Sequence, residues 1–383
     1  MFAAALANLC SIRKQGSALN IGNDALHSKQ LDGGEPQKRR PAWRWALYAL
    51  LALVAAEAGI LALTVREFMS YGFFEKIPIV SKTDSGAART PPPDLEPGDS
   101  NGDVNAGQDD DEEVNLKVGK TPIYHKDPID PDVVNILALG LDSRKPGGNG
   151  RSDMNMVISV DRRNKTVKLV SILRDTLVPI EGHDWNRLNA AYAFGGPGLA
   201  INTVNEAYGL DIQRYVKLDF FAIQDIIDAV GGVDVTLRQN EIANLRGNGY
   251  QVSGGAGVKH LDGATALAYA RIRKIDGDFQ RTQRQRNVMT AALGRVRGMG
   301  VTQAIDLMTR LLPQVKTNVS TNDAIALARE VLAMGGGHEI KQLALPVQGS
   351  YSNKKYKGMS VLAVEFDKNE RALKEFLYNS PIY

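Results

Sequence analysis

Between Ala46 and Val65 the chain reads ALYALLALVAAEAGILALTV, an apolar run interrupted by one carboxyl, Glu57. At about 1.5 Å of rise per residue, roughly 20 residues of helix measure about 30 Å, the thickness of a bilayer core. Such a run divides the chain into two sides of different character, which are best taken apart. Lys38, Arg39, Arg40 and Arg44 stand just before it, and beyond Arg66 the chain turns acidic. That bias predicts one transmembrane helix, with the N-terminus in the cytoplasm and the C-terminal bulk outside. A cleaved secretory signal would have a short basic head and a shorter apolar run, whereas 45 residues precede this one. Glu57 is a departure, because a carboxyl in hydrocarbon is costly unless protonated or facing a partner helix.

Residues 1–45 read as a disordered tail, and residues 66–127 as a Pro- and Gly-rich linker. Asp94 to Glu113 holds nine acids and no base. Nothing in that stretch can bury enough apolar surface to fold alone, and its self-repulsion predicts an extended spacer or a solvated tail. The single cysteine, Cys10, excludes an intrachain disulfide. A net charge of +3 is too small to argue for a nucleic-acid partner.

From Pro128 onward apolar runs alternate with helical patterns, which predicts one α/β domain, residues 128–300 with 301–383 as its C-terminal part. Val133 to Leu141, Met154 to Val160 and Thr166 to Leu173 read as buried strands, the last two joined by the short turn Asp161 to Lys165 as an antiparallel pair. Helices are expected near Gly198–Tyr208, Asp219–Val230, Leu261–Ala270, Phe279–Val296, Thr302–Leu312 and Asn322–Met334, with further strands near Ile340–Leu345 and Val361–Phe366.

Charged residues cluster where these strands end. The first runs into Gly140-Leu141-Asp142-Ser143-Arg144, and the next is preceded by Arg151-Ser152-Asp153. Two carboxylates at strand ends, flanked by arginines, suit a Mg²⁺ ion beside a phosphate; the competing reading is that they cap turns. The third strand ends in Leu173-Arg174-Asp175, a ligand pair or a structural ion pair. Asn186-Arg187-Leu188-Asn189 leads into an aromatic, glycine-ended stretch. Arg271 to Arg286 carries six bases (Arg271, Arg273, Lys274, Arg281, Arg284, Arg286) against Asp276 and Asp278. If Arg271 to Arg273 is extended, its two guanidinium groups share a face, and Arg281 and Arg284 share a helix face at i, i+3. Arginine holds phosphate oxygens bidentately and stays charged, and a helix N-terminus adds to the attraction; a solvated basic face is the alternative.

No G-x-x-x-x-G-K-[ST] loop, G-x-S-x-G elbow or H-E-x-x-H motif occurs, so nucleotide hydrolysis, serine esterase and zinc protease chemistry lose support. In their order, GLDSR, RSDM, SILRD, RLNAAYAFGG, YARIRK and GDFQRTQRQR resemble the LytR-CpsA-Psr family of cell-wall glycopolymer transferases, over roughly Asn135 to Met289. Leu173 stands where that family usually has proline, Met154 where threonine is common, and Arg187 where lysine is frequent; no charge is lost. The resemblance implies a three-layer α/β/α outer domain with a central mixed sheet behind one membrane span. It implies a polyprenyl-pyrophosphate-linked glycopolymer, a teichoic acid or capsular polysaccharide, as donor and a muramic-acid hydroxyl of peptidoglycan as acceptor. Arg174, Arg273 and Arg281 are then expected to clamp the pyrophosphate, and Asp142 and Asp153 to hold Mg²⁺. Asp175 is expected as general base or as orienter of Arg174. Arg151, Arg187, Asn189, Arg271, Arg284 and Gln285 are further substrate contacts, and an apolar slot for the lipid tail is placed beside the Asp219–Val230 helix at Phe220 and Phe221. A non-catalytic lipid-pyrophosphate-binding protein and a hydrolase of the same substrate are the competing functions.

Overall fold

The computed structural model describes residues 74–82, 89–97, 120–141, 150–311, 315–334 and 340–378. The apolar run at 46–65, Cys10, most of the acidic stretch and Asp142 lie outside the described residues. Among those described, no helix is long and apolar enough to cross a membrane.

Two-residue strands β1 (Ile79–Val80), β2 (Glu96–Pro97) and β3 (Ile123–Tyr124) precede the long strands β4 (Val133–Leu141), β5 (Ser152–Asp161) and β6 (Thr166–Ile172). Next come β7 (Leu177–Val178), β8 (Asn186–Arg187), α1 (Leu188–Tyr208), β9 (Arg214–Asp219) and α2 (Phe220–Ala229). Then follow β10 (Val233–Leu237), α3 (Gln239–Gly247), β11 (Gly257–Leu261), α4 (Gly263–Ala270) and α5 (Asp278–Arg297). The remaining elements are α6 (Val301–Leu311), β12 (Lys316–Thr317), α7 (Thr321–Ala333), β13 (Lys341–Leu345), β14 (Tyr351–Tyr356), β15 (Met359–Val364) and α8 (Phe366–Tyr378).

Six strands in the order β12-β9-β4-β5-β6-β13 form the central sheet. It is mixed: β4 and β6 flank β5 antiparallel, whereas β9 runs parallel to β4 and β13 parallel to β6. Side chains alternate between its faces. Leu137, Leu139, Leu141, Val157, Val170 and Ile172 point to one face and pack against α1 and α8, through residues such as Ile201, Tyr208 and Leu373. Ala138, Met154, Met156, Val167 and Leu169 point to the other, where Met289 and Leu293 of α5 and Val331 of α7 cover them. Helices on both faces explain why β4 is buried along its whole length and apolar but for Asn135. A further core gathers Ile227, Val233, Val235, Leu237, Ile242, Leu261 and Val288 from α2 to α5 and the β10–β11 pair.

The three long strands fall where the apolar runs place them. Helix α1 begins ten residues before the expected Gly198, at Leu188. Gly196 (φ 69°) and Pro197 make a kink inside it. The small residues there admit a crossing segment: a Cβ on Gly198 would come 1.9 Å from the Thr121 carbonyl oxygen. The apolar run at Val361–Phe366 points to the main sheet-and-helix pattern, but β15 joins β14 and β2 in a separate three-stranded sheet. Strand β9 and helix α8 carry mixed polar and apolar residues, with no clear run to mark them in the sequence.

Candidate functional site

The antiparallel pairing of β5 with β6 runs from Asp161 opposite Thr166 to Asn155 opposite Ile172. Two residues further, the same count brings Asp153 opposite Arg174, and Arg174 Nη1 donates to Asp153 Oδ1 at 2.9 Å. On the other side of β5, Gly140 pairs with Met154 but Leu141 with Ser152, so Asp153 is the extra residue of a bulge. A bulge re-aims a side chain out of the ladder, and bulges gather beside active sites. Gly140 permits the close approach, because a Cβ there would come 2.9 Å from the Met154 Cβ.

Two more arginines reach the same carboxylate from a different part of the chain. Arg273, in the turn between α4 and α5, donates from Nη2 to Asp153 Oδ2 at 2.5 Å. Arg281, in α5, donates from Nη2 to the Asp153 carbonyl oxygen at 3.3 Å and holds Nη1 3.8 Å from Oδ2. Asp278, in the first turn of α5, lies 2.9 Å from Arg281 Nη2 and 3.8 Å from Arg174 Nε. Asp175 lies 3.6 Å from Arg174 Nε and 3.5 Å from Arg187 Nε, while Arg187 also donates to the Ser360 carbonyl at 3.0 Å. Four guanidinium groups thus meet three carboxylates. Arg174, Asp153, Asp175 and Arg281 are buried, whereas the Arg273 side chain is 41% exposed and marks the open side.

Burial opposes charge on Asp153, yet the guanidinium groups of Arg174, Arg281 and Arg273 override it and hold the carboxyl below the usual range. Asp175 goes the other way: burial raises it, and Arg174 and Arg187 offset that only in part. Burial also brings Arg281 down, despite Asp278 and Asp153. Asp175 Oδ1, Asp278 Oδ2 and Arg281 Nε are buried without a hydrogen-bond partner. Buried polar atoms are normally satisfied, so these leave capacity for a ligand: two acceptors suit hydroxyls or a cation, and the donor suits an anion.

The remaining expected residues divide. Asn189 is buried and its backbone N–H donates to the Arg174 carbonyl at 3.2 Å. Gln285 stands one turn beyond Arg281, its Oε1 buried and without a donor. Arg151 is exposed at the start of β5. Arg271 is exposed and caps α4 with helical backbone angles, so Arg271 and Arg273 do not form the extended pair that would share a face. Arg284 belongs elsewhere: its Nε donates to Glu241 at 2.8 Å, its Nη1 to the Ile272 carbonyl at 2.9 Å, and its Nη2 to Asp276. Both acids also hold Arg238, so the Arg284 charge is taken up within a structural network. Phe221, expected at an apolar slot, is exposed on α2. In the sequence Asp278 counts only as a charge opposing the bases; its i, i+3 spacing to Arg281 at a helix start is the signal that could have found it. Among the described residues no group of three or more His, Cys, Asp or Glu could hold a metal ion.

Comparison with known proteins places this arrangement. The LytR_cpsA_psr family model matches residues 101–375. The polyisoprenyl-teichoic acid–peptidoglycan teichoic acid transferase TagT of Bacillus subtilis (strain 168) is 33% identical over 223 residues, covering 56% of this chain and 69% of that protein. The corresponding TagU of Bacillus mycoides (strain KBAB4) is 36% identical over 220 residues, covering 54% and 70%. Among solved structures, TagT bound to LIIa-WTA matches with a TM-score of 0.54 at 29% identity, over 65% of this chain and 91% of that one. TagT (YwtF) with bound octaprenyl pyrophosphate lipid matches with a TM-score of 0.50 at 28% identity, over 70% and 98%. The mixed sheet, the arginines gathered on a bulged aspartate and a family match through most of the chain together establish that this protein belongs to the LytR_cpsA_psr family.

Proposed function

We propose that this chain moves a glycopolymer from a polyprenyl-pyrophosphate carrier onto a muramic-acid hydroxyl of peptidoglycan. The observation that carries the reading is the convergence of Arg174, Arg273 and Arg281, from three separate elements, on the single carboxylate of Asp153. That carboxylate stands where the oxygens of a diphosphate would be welcome, and the arginines can exchange one anion for the other without leaving their places. Each charge-assisted hydrogen bond contributes about 1.5 to 3 kcal/mol, so three such arms suffice for firm binding. The names of the relatives as teichoic acid transferases, and the octaprenyl pyrophosphate bound to TagT, support the same substrate class.

In the transfer, the acceptor hydroxyl oxygen attacks the phosphorus that carries the polymer, in line with the bridging oxygen. The new P–O bond joins polymer phosphate to peptidoglycan, and the old one breaks to release polyprenyl monophosphate. The hydroxyl proton passes to Asp175, whose burial raises its affinity for a proton and whose Oδ1 has no hydrogen-bond donor. Arg174 and Arg281 stabilise the charge that gathers on the departing phosphate. Asp153, released from the arginines and joined by Asp142, would hold Mg²⁺ through hard oxygen donors; the ion, when bound, neutralises diphosphate charge. Asp278 Oδ2, buried without a hydrogen-bond partner, would be a further oxygen ligand for that ion or an acceptor for its water.

Incubating the full-length protein with a labelled polyprenyl-pyrophosphate polymer and peptidoglycan tests this reading. Label on peptidoglycan is expected; free released polymer would mean a hydrolase, and recovery of intact donor a binding protein. We also place residues 46–65 as a single membrane span with the N-terminus inside and the α/β domain outside. Cys10, the only cysteine, then reacts with a membrane-impermeant thiol reagent only after cells are permeabilised. Labelling of intact cells would reverse the orientation.

A further inference from the structure

Arg286 of α5 takes no part in the Asp153 cluster, yet it is 4% exposed. Its Nε and Nη1 are buried without a hydrogen-bond partner, and Nη2 donates to Gln283 Oε1 at 2.5 Å. Among the described residues it has no ion pair. Burial alone pushes its guanidinium down to about 10.

The surroundings of Arg286 follow from the helix and the sheet. Thr282, Met289 and Leu293 share its side of α5 at i−4, i+3 and i+7. Met289 and Leu293 pack against the face of the sheet formed by Met154, Met156 and Leu169. Gln283 and Thr290 flank Arg286 along the helix, and both bond to Gln342 of β13, at 2.9 Å and 2.8 Å. In the adjacent strand β6, Ser171 pairs in register with Ala344 of β13, and alternation puts it on the face of Val167 and Leu169. Its Oγ is buried and also lacks a partner. An uncompensated guanidinium and an unused hydroxyl therefore occupy one layer, between α5 and the sheet, about one and a half turns along the helix from Arg281.

Arginine is almost never fully buried unless paired, and an uncompensated buried charge destabilises a fold strongly. Guanidinium and hydroxyl donors together match one phosphate group. We propose that Arg286, with Ser171 as second donor, forms a second anion subsite that takes a single phosphate group. Free phosphate and the monoester of a prenyl alcohol share this chemistry. If the proposed transfer holds, the monoester is the departing carrier, and the subsite is its seat after the P–O bond breaks.

The test is thermal unfolding of the full-length protein in detergent, titrated with inorganic phosphate in one arm and geranyl monophosphate in the other. An Arg273→Ala background weakens the clamp, so that the remaining anion-induced rise in Tm reports the second subsite. Adding Arg286→Met is expected to raise Tm without anion, because a buried unpaired charge is removed. It is also expected to weaken the apparent affinity for the anion at least about tenfold, the scale of one charge-assisted bond. A response in both arms shows that phosphate alone is sufficient, and a response to geranyl monophosphate alone assigns the site to the lipid ester. Equal anion-induced rises with and without Arg286, in both arms, overturn the proposal. Should Arg286→Met fail to fold, Arg286→Lys keeps the charge without the fork and is judged in the same way. Melting reports binding only, so a negative transfer assay leaves this result standing, and a positive one cannot rescue it.

Discussion

Asp153 and Arg174 face each other across the β5–β6 pair, each eight residues from the ladder's first pair, Asp161 and Thr166. Their ion pair, 2.9 Å between Nη1 and Oδ1, is the point to which Arg273 and Arg281 are drawn. The carboxylate thus holds three like charges together in readiness for a more highly charged ligand.

Asp153→Asn removes the charge that these guanidinium groups share. Breaking one partner of a buried ionic cluster typically costs about 3 to 5 kcal/mol. Urea unfolding of the variant should show a loss of that size, partly recovered by added pyrophosphate, which supplies the missing negative charge. An unchanged unfolding midpoint would mean that the carboxylate does not organise the cluster.

Arg174→Ala and Arg281→Ala should each reduce polymer attachment at least about a hundredfold, since one lost charge-assisted arm in a desolvated site costs roughly 2.7 to 4 kcal/mol. Arg174→Lys should recover little, because an ammonium cannot reproduce the planar fork. Attachment assays on purified protein with labelled donor decide this; full activity in both alanine variants would dismiss the clamp.

Arg284→Met should behave differently from its neighbour Arg281. It leaves Glu241 and Asp276 with less compensation inside the α3–α5 region, for a loss of about 3 to 5 kcal/mol in stability. The folded fraction should keep its transfer rate. Comparing the unfolding midpoint with the rate per folded molecule separates the two roles, and a rate loss without a stability loss would return Arg284 to the substrate site.

The two aspartates predict opposite pH behaviour. Asp153 is depressed in the folded state, so its contribution to stability is present above its unfolded value of about 3.9 and is lost as pH falls through the lower folded value. Asp175 is raised, so the folded state is favoured while that carboxyl is protonated, and this advantage fades as pH rises from the unfolded value through the folded one. As a base it must be ionised, and kcat/KM should therefore climb along a limb lying above the ordinary aspartate value. Asp175→Asn should abolish that limb and lower the rate about 10² to 10⁴-fold; a profile unchanged in shape and height would reduce Asp175 to an orienter of Arg174.

Chelation with EDTA should depress transfer, and Mg²⁺ should restore it, with the requirement weakened in Asp153→Asn. Transfer at full rate in EDTA would remove the ion from the reaction.

Much was legible in the chain alone. The apolar runs of β4, β5 and β6 and the tight Asp161–Lys165 turn determine a hairpin whose register, once counted, puts Asp153 opposite Arg174. The order of charged motifs was enough for the family. Tertiary structure alone decided which arginine serves which acid. Arg281 and Arg284 are three residues apart on one face of one helix, yet one reaches Asp153 of the central sheet and the other Glu241 of α3. Arg271 caps α4 with helical backbone angles and is exposed, whereas Arg273, in the turn that follows, reaches Asp153, a division that no side-chain pattern encodes. Local periodicity specifies which face a residue occupies, but the partner on that face comes from a distant segment, and only packing of the whole domain brings the two within bonding distance.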